Sequence, residues 1–337
     1  MAERLPTIYD VARTAGVSPA TVSRVLNEPS RVQNEKREKV MDAIGELHFV
    51  PKADAVAKAR RQYKKIGVIA PFFTEPSFMQ RLRGIASVLS GRHYELVLYV
   101  IESISELEAY IDMLVSSRRV DGLIVLCLQL GDASVGKLAR LGLPVCFVES
   151  DVSGFDCVIV KNEAGGRMAA EYLYSCGFRR PGFVGEVSLR PYAVPATELR
   201  LSGYEAFFAE RGIPLDERFV CVSEFAGGKL DAEILRILKQ KERPDCVFTS
   251  SDVIAARFLK AAASVGLSVP QDIAVVGFDD LEMAELIALS TVSQSLDESG
   301  RLAAEMVLDR IKDGARAPRC VFIPLSVKER ETAKRGS

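Results

Sequence analysis

The chain has 337 residues and an apolar fraction of 48%, enough for two or three domains with a large buried core. Its longest apolar runs, such as GLIVLCL at 122–128, are too short to cross a bilayer, and its first residues lack the apolar segment of a signal peptide, so neither a membrane-spanning nor an exported protein is expected. The seven cysteines show no CxxC pair or metal-ligand spacing, so no metal site is expected, and the apolar strand-like runs around Cys127, Cys146, Cys157 and Cys246 predict reduced core thiols.

Charge is distributed unevenly along the chain. Residues 1–65 carry 13 Lys and Arg against 8 Asp and Glu, whereas residues 66–337 carry 31 against 37. A basic N-terminal part on an acidic body is expected when only one end of a protein meets phosphate. A solvated basic face without a ligand is the alternative.

The first predicted elements are two short helices around a glycine turn, in TIYDVARTAGVSPATVSRVL at 7–26. Thr7 and Asp10 have the spacing of a capping box, and Gly16 stands where a left-handed residue ends a helix. Ser18 suits the N-cap of the second helix, and Pro19 suits its first position.

The second helix leaves a short face outside its buried stripe of Val22, Val25 and Leu26. That face consists of Pro19, Ala20, Thr21, Ser23, Arg24 and Asn27. Small side chains, hydroxyls and one arginine fit a DNA major groove and can be read against its base edges. An ordinary helical hairpin inside a larger domain is the alternative.

From Lys65 onward, apolar strands alternate with amphipathic helices in two series. The strands are IGVIA, YELVLYV, DGLIVLC, PVCFVE, PGFVG, FVCVS, DCVFTS and IAVVGF, with helices near 78–90, 104–117, 134–141, 163–176, 198–212, 229–240 and 252–265. Such strands predict parallel sheets covered on both faces, and two series predict two doubly wound lobes. A ligand then belongs between the lobes, beyond the carboxyl ends of the strands.

These segments resemble the lactose-repressor/galactose-repressor family. The resemblance is carried by TIYDVARTAGVSPATVSRVLN, REKVMDAIGELHFVP, IGVIAP, VDGLIV, ELRLSGYEAF and DIAVVGFDDLEMAE, and it extends over residues 6–332. It implies an all-α helix-turn-helix headpiece at 1–50, a basic hinge at 51–64 and a two-lobed α/β domain at 65–332 that is similar to periplasmic sugar-binding proteins. The N-lobe would comprise about 65–161 and 294–322, and the C-lobe about 162–293 and 323–332.

The resemblance also implies a function and partners. The expected protein is a cytoplasmic homodimer that represses a carbohydrate-utilisation operon and has no catalytic activity and no cofactor. Its operator DNA affinity would change when a small sugar or sugar derivative binds between the lobes. The C-terminal segment KERETAKRGS has no leucine heptads, so a tetramerising coil is not expected.

DNA contacts are expected from the headpiece and the hinge. The residues that match the family's pattern are Thr7, Tyr9, Ser18, Pro19, Ala20, Thr21, Ser23, Arg24, Asn27, Arg31, Lys52, Ala55 and Lys58. The hinge departs from that pattern, because Lys58 stands where the family has a leucine that wedges into the minor groove. Val56 is the only bulky apolar residue nearby, so the hinge is expected to contact phosphates with less bending.

The resemblance also implies effector contacts at the cleft, from Phe73, Ser77, Phe78, Glu149, Lys161, Arg200, Phe225, Ser251 and Asp279. Carboxylates and arginine suit a polyol, whose hydroxyls both donate and accept. Ser251 replaces the family's usual Asn, and Lys161 replaces its usual Asp. Lys161 with Arg190 and Arg200 would favour an acidic sugar, unless Lys161 and Arg190 lie on the surface.

Three other interpretations stay open. An enzyme is disfavoured, because no GxGxxG follows IGVIA, no GxxxxGK[ST] or GxSxG occurs, and there are only two histidines. An exported sugar-binding protein would have a signal peptide and no headpiece. A DNA-binding dimer controlled by a nucleobase, a sugar acid or a partner protein is the remaining alternative.

Overall fold

A computed structural model of the chain describes residues 6–27, 31–47, 49, 63–71, 74–117, 119–187, 192–223 and 228–334, with only the backbone of Asn27. Its contacts divide the chain into two compact units, and each is described by itself. The first comprises residues 1–65 with 119–121, and the second comprises the remainder.

The N-terminal unit contains three helices, α1 (Ile8–Thr14), α2 (Pro19–Asn27) and α3 (Asn34–Glu46). The predicted capping box begins α1, where the backbone NH and the hydroxyl of Thr7 donate to the Asp10 carboxylate at 2.9 and 2.6 Å. Gly16 has a φ of +65°, which lets the Val17 NH reach the Ala12 carbonyl at 3.0 Å and close the helix end. The glycine turn is thus confirmed.

Ser18 caps α2, since its Oγ accepts from the Thr21 NH at 3.2 Å and Pro19 opens the helix. The three helices bury one small core, which consists of Val11, Ala12, Ala15, Val22, Val25, Val40 and Ala43. This core holds α2 in place while its opposite face stays open to solvent.

The second unit contains twelve strands and nine helices among its described residues. The strands are β1 (Lys65–Ala70), β2 (Glu95–Val100), β3 (Gly122–Leu126), β4 (Val145–Val148), β5 (Asp156–Ile159), β6 (Pro181–Glu186), β7 (Val220–Ser223), β8 (Cys246–Thr249), β9 (Ala274–Asp279), β10 (Ser290–Ser293), β11 (Cys320–Phe322) and β12 (Ser326–Lys328). The helices are α4 (Pro76–Gly91), α5 (Ile104–Ser117), α6 (Asp132–Leu141), α7 (Asn162–Ser175), α8 (Ala196–Ala209), α9 (Lys229–Leu238), α10 (Asp252–Ser264), α11 (Glu282–Leu286) and α12 (Leu296–Lys312).

These strands form two six-stranded sheets, which confirms the predicted pair of α/β lobes. The first lobe has the order β11-β5-β4-β3-β1-β2, and the second has β12-β10-β9-β8-β6-β7. Pairing is parallel at β1–β3, β3–β4, β4–β5 and β5–β11, and in the second sheet except between β10 and β12. Strands such as β3 and β4 are buried at every position, because helices cover both faces.

The chain passes between the lobes three times, after β5, β10 and β11. The second passage leads into α12, a helix of the first lobe that packs on α4 and lies against β3, β4 and β5. The strand series predicted from sequence did not include β5, β10, β11 or β12, or the helices α11 and α12. In the described ranges, no helix has the length and apolarity that crossing a bilayer requires.

Candidate functional site

The exposed face of α2 is the first candidate site. Ser18, Pro19, Ala20 and Arg24 are exposed, and Thr21 and Ser23 are partly exposed. Ser18 and Thr21 also share a 2.9 Å hydrogen bond between their hydroxyls. Small side chains at the start of the helix and a cation in its last turn leave room for a nucleic-acid backbone and base edges.

Other predicted DNA contacts lie elsewhere in the N-terminal unit or outside the described residues. Tyr9 is 69% exposed, Arg31 is exposed and Thr7 is half-buried beside Asp10. The side chain of Asn27 and the hinge residues Lys52, Ala55, Val56 and Lys58 lie outside the described residues. The proposed contacts of the hinge therefore rest on sequence alone.

A cavity of about 330 Å³ lies between the carboxyl ends of the two sheets, a size that suits a small molecule. Glu149 follows β4, Glu186 ends β6 and Asp279 ends β9, while Arg81 and Arg200 reach in from α4 and α8. The lining also includes Glu75, Ser77, Phe78, Cys127, Thr197, Ser251 and Gln294.

Six buried polar side chains at this cavity form a closed sequence of contacts, which we call the polar ring: Arg81, Glu149, Asn162, Arg200, Asp279 and Gln294. In the first lobe, Arg81 Nη2 donates to Glu149 Oε1 and, at 3.1 Å, to Gln294 Oε1. Gln294 Nε2 in turn donates to Asp279 Oδ1, and this oxygen lies 3.9 Å from Arg200 Nη1.

The ring closes through an amide on the other side. Arg200 Nε donates to Asn162 Oδ1 at 2.8 Å, and Asn162 Nδ2 lies 3.5 Å from Glu149 Oε2. Asn162 begins α7 just after the first passage between the lobes, and Gln294 follows β10 at the second. Each amide therefore joins an ionisable group of one lobe to an ionisable group of the other.

Burial and neighbouring charges oppose one another in the ring. Burial raises the pKa of Glu149, but the Arg81 and Arg200 guanidinium groups outweigh it and hold the net pKa below its usual value. Burial raises the pKa of Asp279 to about 6, although Arg200 acts against this. Glu149 is therefore a charged acceptor at neutral pH, and Asp279 is close to titrating.

The cavity keeps unused hydrogen-bonding capacity on both lobes. Within the described ranges, the Glu186 carboxylate and Asp279 Oδ2 accept no hydrogen bond, and Arg200 Nη2 donates none. Burial raises the pKa of Glu186, and the nearby Glu75 carboxylate adds to the rise. Acceptors and donors thus face the same space, which suits a ligand that carries hydroxyl groups.

The backbone is strained at the ends of the strands that border the cavity. Cys127, Glu149 and Asp279 have φ values of +55°, +66° and +118°, in the region that favours glycine. Each such residue costs about 1–3 kcal/mol and persists only when the surroundings impose it. Their grouping at one cavity supports a binding role for this cluster.

Close glycine packing positions both cavity arginines. A Cβ on Gly300 of α12 would lie 2.1 Å from the Arg81 carbonyl oxygen, and one on Gly166 of α7 would lie 1.8 Å from the Arg200 carbonyl oxygen. Gly84 and Gly203 make the reciprocal contacts, at 2.0 and 1.8 Å. Each arginine is thus fixed by a helix pair that only glycine allows to approach so closely.

The structure brings most of the described effector candidates to this cavity and leaves one outside. Ser77, Phe78, Glu149, Arg200, Ser251 and Asp279 line it. Lys161 does not, because it is exposed and its Nζ lies 4.7 Å from the centre of the Phe322 ring. Phe73, Phe225 and Arg190 lie outside the described residues.

Sequence reasoning missed Arg81, Asn162 and Gln294. A signal for Arg81 was present, because a charged residue interrupts the apolar stripe of Phe78, Ile85 and Leu89 on α4. Nothing comparable marks the two amides, whose importance comes from their place at the passages between the lobes.

Two family models match the chain. The one described as "Bacterial regulatory proteins, lacI family" matches residues 7–52, and the one described as "Periplasmic binding protein-like domain" matches residues 170–333. The HTH-type transcriptional repressor PurR of Erwinia tasmaniensis is 32% identical over 341 residues, which cover 98% of both chains. The ribose operon repressor of Haemophilus influenzae is 32% identical over 318 residues, covering 92% of this chain and 93% of the relative.

Solved structures agree with these matches. The lac repressor dimer bound to operator and the anti-inducer ONPF superposes with a TM-score of 0.79 at 26% identity, covering 98% of this chain and 100% of that one. A complex of the transcriptional regulator CelR with cellobiose gives a TM-score of 0.69 at 29% identity, covering 97% and 99%.

Proposed function

Since the chain belongs to the LacI family of bacterial regulatory proteins, we propose that it is a dimeric repressor whose operator affinity changes when a small molecule binds in its cavity. The observation that carries this proposal is the polar ring, because its charged members come from both lobes. A ligand that contacts Glu149 and Asp279 together would change how the lobes are held, and such a change is what couples two sites.

DNA binding is the function of the N-terminal unit. We propose that Thr7, Tyr9, Arg31 and the exposed face of α2 contact the operator, with Arg24 as the main base-reading residue, since a guanidinium pairs bidentately with guanine. Asn27, Lys52, Ala55 and Lys58 are proposed as further contacts on sequence grounds. One headpiece per chain reads one half-site, so a homodimer reads two.

A neutral, hydroxyl-rich effector fits the described cavity best. Its lining carries four carboxylates, at Glu75, Glu149, Glu186 and Asp279, against two guanidinium groups, which already face Glu149 and Asp279. Lys161 does not line the cavity, so the argument for an acidic sugar loses one of the residues on which it was based. A sugar is therefore proposed, as in the ribose repressor and the cellobiose complex among the relatives.

A nucleobase is the second candidate, because repressors named PurR are among the most similar relatives. A partner protein is the weaker alternative, since a cavity of about 330 Å³ admits a small molecule and not a folded surface. The effector residues proposed here are Ser77, Phe78, Glu149, Arg200, Ser251 and Asp279, together with Phe73 and Phe225 on sequence grounds.

The domain limits and the location of the protein complete the proposal. We place the headpiece at 1–50, the hinge at 51–64 and the effector domain at 65–332, with the lobes divided near 161, 293 and 322. The two family matches and the strand membership of the two sheets support this division. A regulator that binds bacterial operator DNA is expected in the cytoplasm.

Two substitutions separate effector response from DNA binding. Asp279→Ala removes an acceptor and Arg200→Ala removes a fork of donors, so each should weaken effector binding by about 1–3 kcal/mol. Operator affinity without effector should change little. Thermal-shift screening of the full chain with D-ribose, cellobiose and a purine base selects the ligand, and calorimetry with operator binding in parallel measures both effects. Unchanged effector affinity in both variants would remove these residues from the site.

A further inference from the structure

The side chain of Arg81 is the most deeply buried charge at the cavity, and neither the family matches nor the proposed function gives it a role. It is 1% exposed, yet it is a guanidinium on the apolar face of α4. A buried charge is retained only when it is fully hydrogen-bonded, and replacement by an apolar residue is often neutral or stabilising. Stability alone therefore does not explain why an arginine stands there.

The hydrogen bonds of Arg81 leave it little capacity to hold a ligand itself. Nε donates to Ser299 Oγ at 3.0 Å, and Nη1 donates to Cys127 Sγ at 3.0 Å. Nη2 donates to both Glu149 Oε1 and Gln294 Oε1. Four of its five N–H groups are thus engaged by the protein.

We propose that Arg81 is a positioning residue of the effector site, which fixes Glu149 and Gln294 so that the second Glu149 oxygen is presented to a hydrogen-bond donor of the effector. This inference rests on the proposed function of the cavity. A carboxylate has about four acceptor sites, and Arg81, Asn162 and the Cys127 thiol use three of them, so Glu149 keeps one for a ligand. The effector group at this end is then a hydroxyl or an amine, because a carboxylate there would face Glu149 at close range.

The ionisation of Glu149 supports this role. Its side chain is 4% exposed, so burial alone would favour the neutral acid. Burial raises the pKa of Glu149, but Arg81 and, further off, Arg200 bring the net pKa below the usual value. The other ionisable groups around it are Cys127 and Asp279, both of which oppose its charge when ionised. Removing Arg81 therefore leaves Arg200 as the one nearby cation among the described residues.

The test follows the ionisation of Glu149 through the pH dependence of thermal stability, in protein without DNA or effector. Tm of the full chain is compared with Tm of its Glu149→Gln counterpart between pH 8 and 5, once in the wild-type background and once with Arg81→Met. In the wild type the difference should be flat, because Glu149 is ionised in both the folded and the unfolded chain over this range. All four chains carry Asp279→Asn, because Asp279 titrates near pH 6 and its pKa depends on both Glu149 and Arg81.

With Arg81→Met the buried acid loses its partner, and its folded-state pKa should rise above its unfolded value. The ionised form then destabilises the fold at high pH, and this penalty is relieved as pH falls. The Tm difference should therefore move in favour of the chain that retains Glu149 by roughly 5 °C between pH 8 and 5. Arg81→Met alone could be unfolded at pH 8. If the double variant with Glu149→Gln is folded under that condition, the result supports the proposal in the same way.

Arg81→Lys is the conservative control, and it should restore the flat profile because it keeps the charge. If both Arg81→Met chains fail to fold, a sloping profile with Arg81→Lys overturns the proposal. Flat profiles in every background would also overturn it, since Glu149 would then be held ionised without Arg81. Effector response and DNA binding are measured in separate experiments from this pH series. Failure of the proposed function and failure of this inference are therefore distinguishable.

Discussion

Gly166→Ala is expected to damage the cavity without touching its lining. The added Cβ would lie 1.8 Å from the Arg200 carbonyl oxygen, so α7 and α8 must move apart by roughly 1.5 Å to reach ordinary contact. Overpacking in a tight core typically costs about 1–3 kcal/mol, and a rigid backbone oxygen as the obstacle places this case at about 3 kcal/mol. For a unit of this size, Tm should fall by roughly 6–12 °C.

The same displacement should weaken effector binding. Arg200 moves with α8, which breaks its 2.8 Å hydrogen bond to Asn162 and withdraws its donors from the cavity. Thermal unfolding and effector calorimetry measure the two effects. Gly136→Ala is the matched control, because its Cβ would meet only the Arg140 guanidinium at 3.8 Å, and it should stabilise α6 by about 0.5–1 kcal/mol. Wild-type stability of Gly166→Ala together with an unmoved Arg200 would refute the reasoning.

Three further predictions concern DNA and pH. Arg24→Ala should weaken operator binding by about 1–3 kcal/mol and relax preference at one base pair, whereas an equal loss on random DNA in gel-shift titrations would mean phosphate contact only. Lys58→Leu should increase operator bending in circular-permutation gels, and a strong wild-type bend that Val56→Ala abolishes would show Val56 to be the wedge. Because burial raises the pKa of Asp279 to about 6, effector affinity should fall as pH drops from 7 to 5, and calorimetry with Asp279→Asn should show no such fall. The same raised pKa means that Asp279 makes stability decrease as pH rises from about 4 to 6.

The sequence predicted the elements whose apolar patterns are long and local. Strands such as β3 and β9 are continuous buried runs, and their helices were located to within three residues at each end. β10 was missed because it is the polar stretch STVS, although all four residues are buried. Its Ser290 NH bonds to Thr332 Oγ1 at 2.9 Å, and its Thr291 hydroxyl bonds to Asp252. Hydropathy does not register a strand whose burial depends on distant polar partners.

The residues of the candidate site were also predicted only in part. Glu149 and Asp279 were identified because they match effector contacts of the family that the sequence resembles, and both follow or end strands at the edge where ligands of such folds bind. Lys161 follows a strand as well, but β11 pairs with β5 from far along the chain, and the exposed Lys161 has its Nζ 4.7 Å from the centre of the Phe322 ring. Arg81 was missed for the opposite reason, since a charge on an apolar stripe has meaning only when its buried acceptors are known.

The threefold passage of the chain between the lobes also orders events on the ribosome. The headpiece helices are complete at Glu46, whereas the first lobe lacks α12 and an edge strand until Phe322 has been made. At bacterial elongation rates the interval is on the order of tens of seconds. During this interval, a nascent chain has a complete headpiece but an incomplete cavity. Because the lobes are discontinuous in sequence, the cavity is complete only in chains made through β11, and any response to an effector is confined to them.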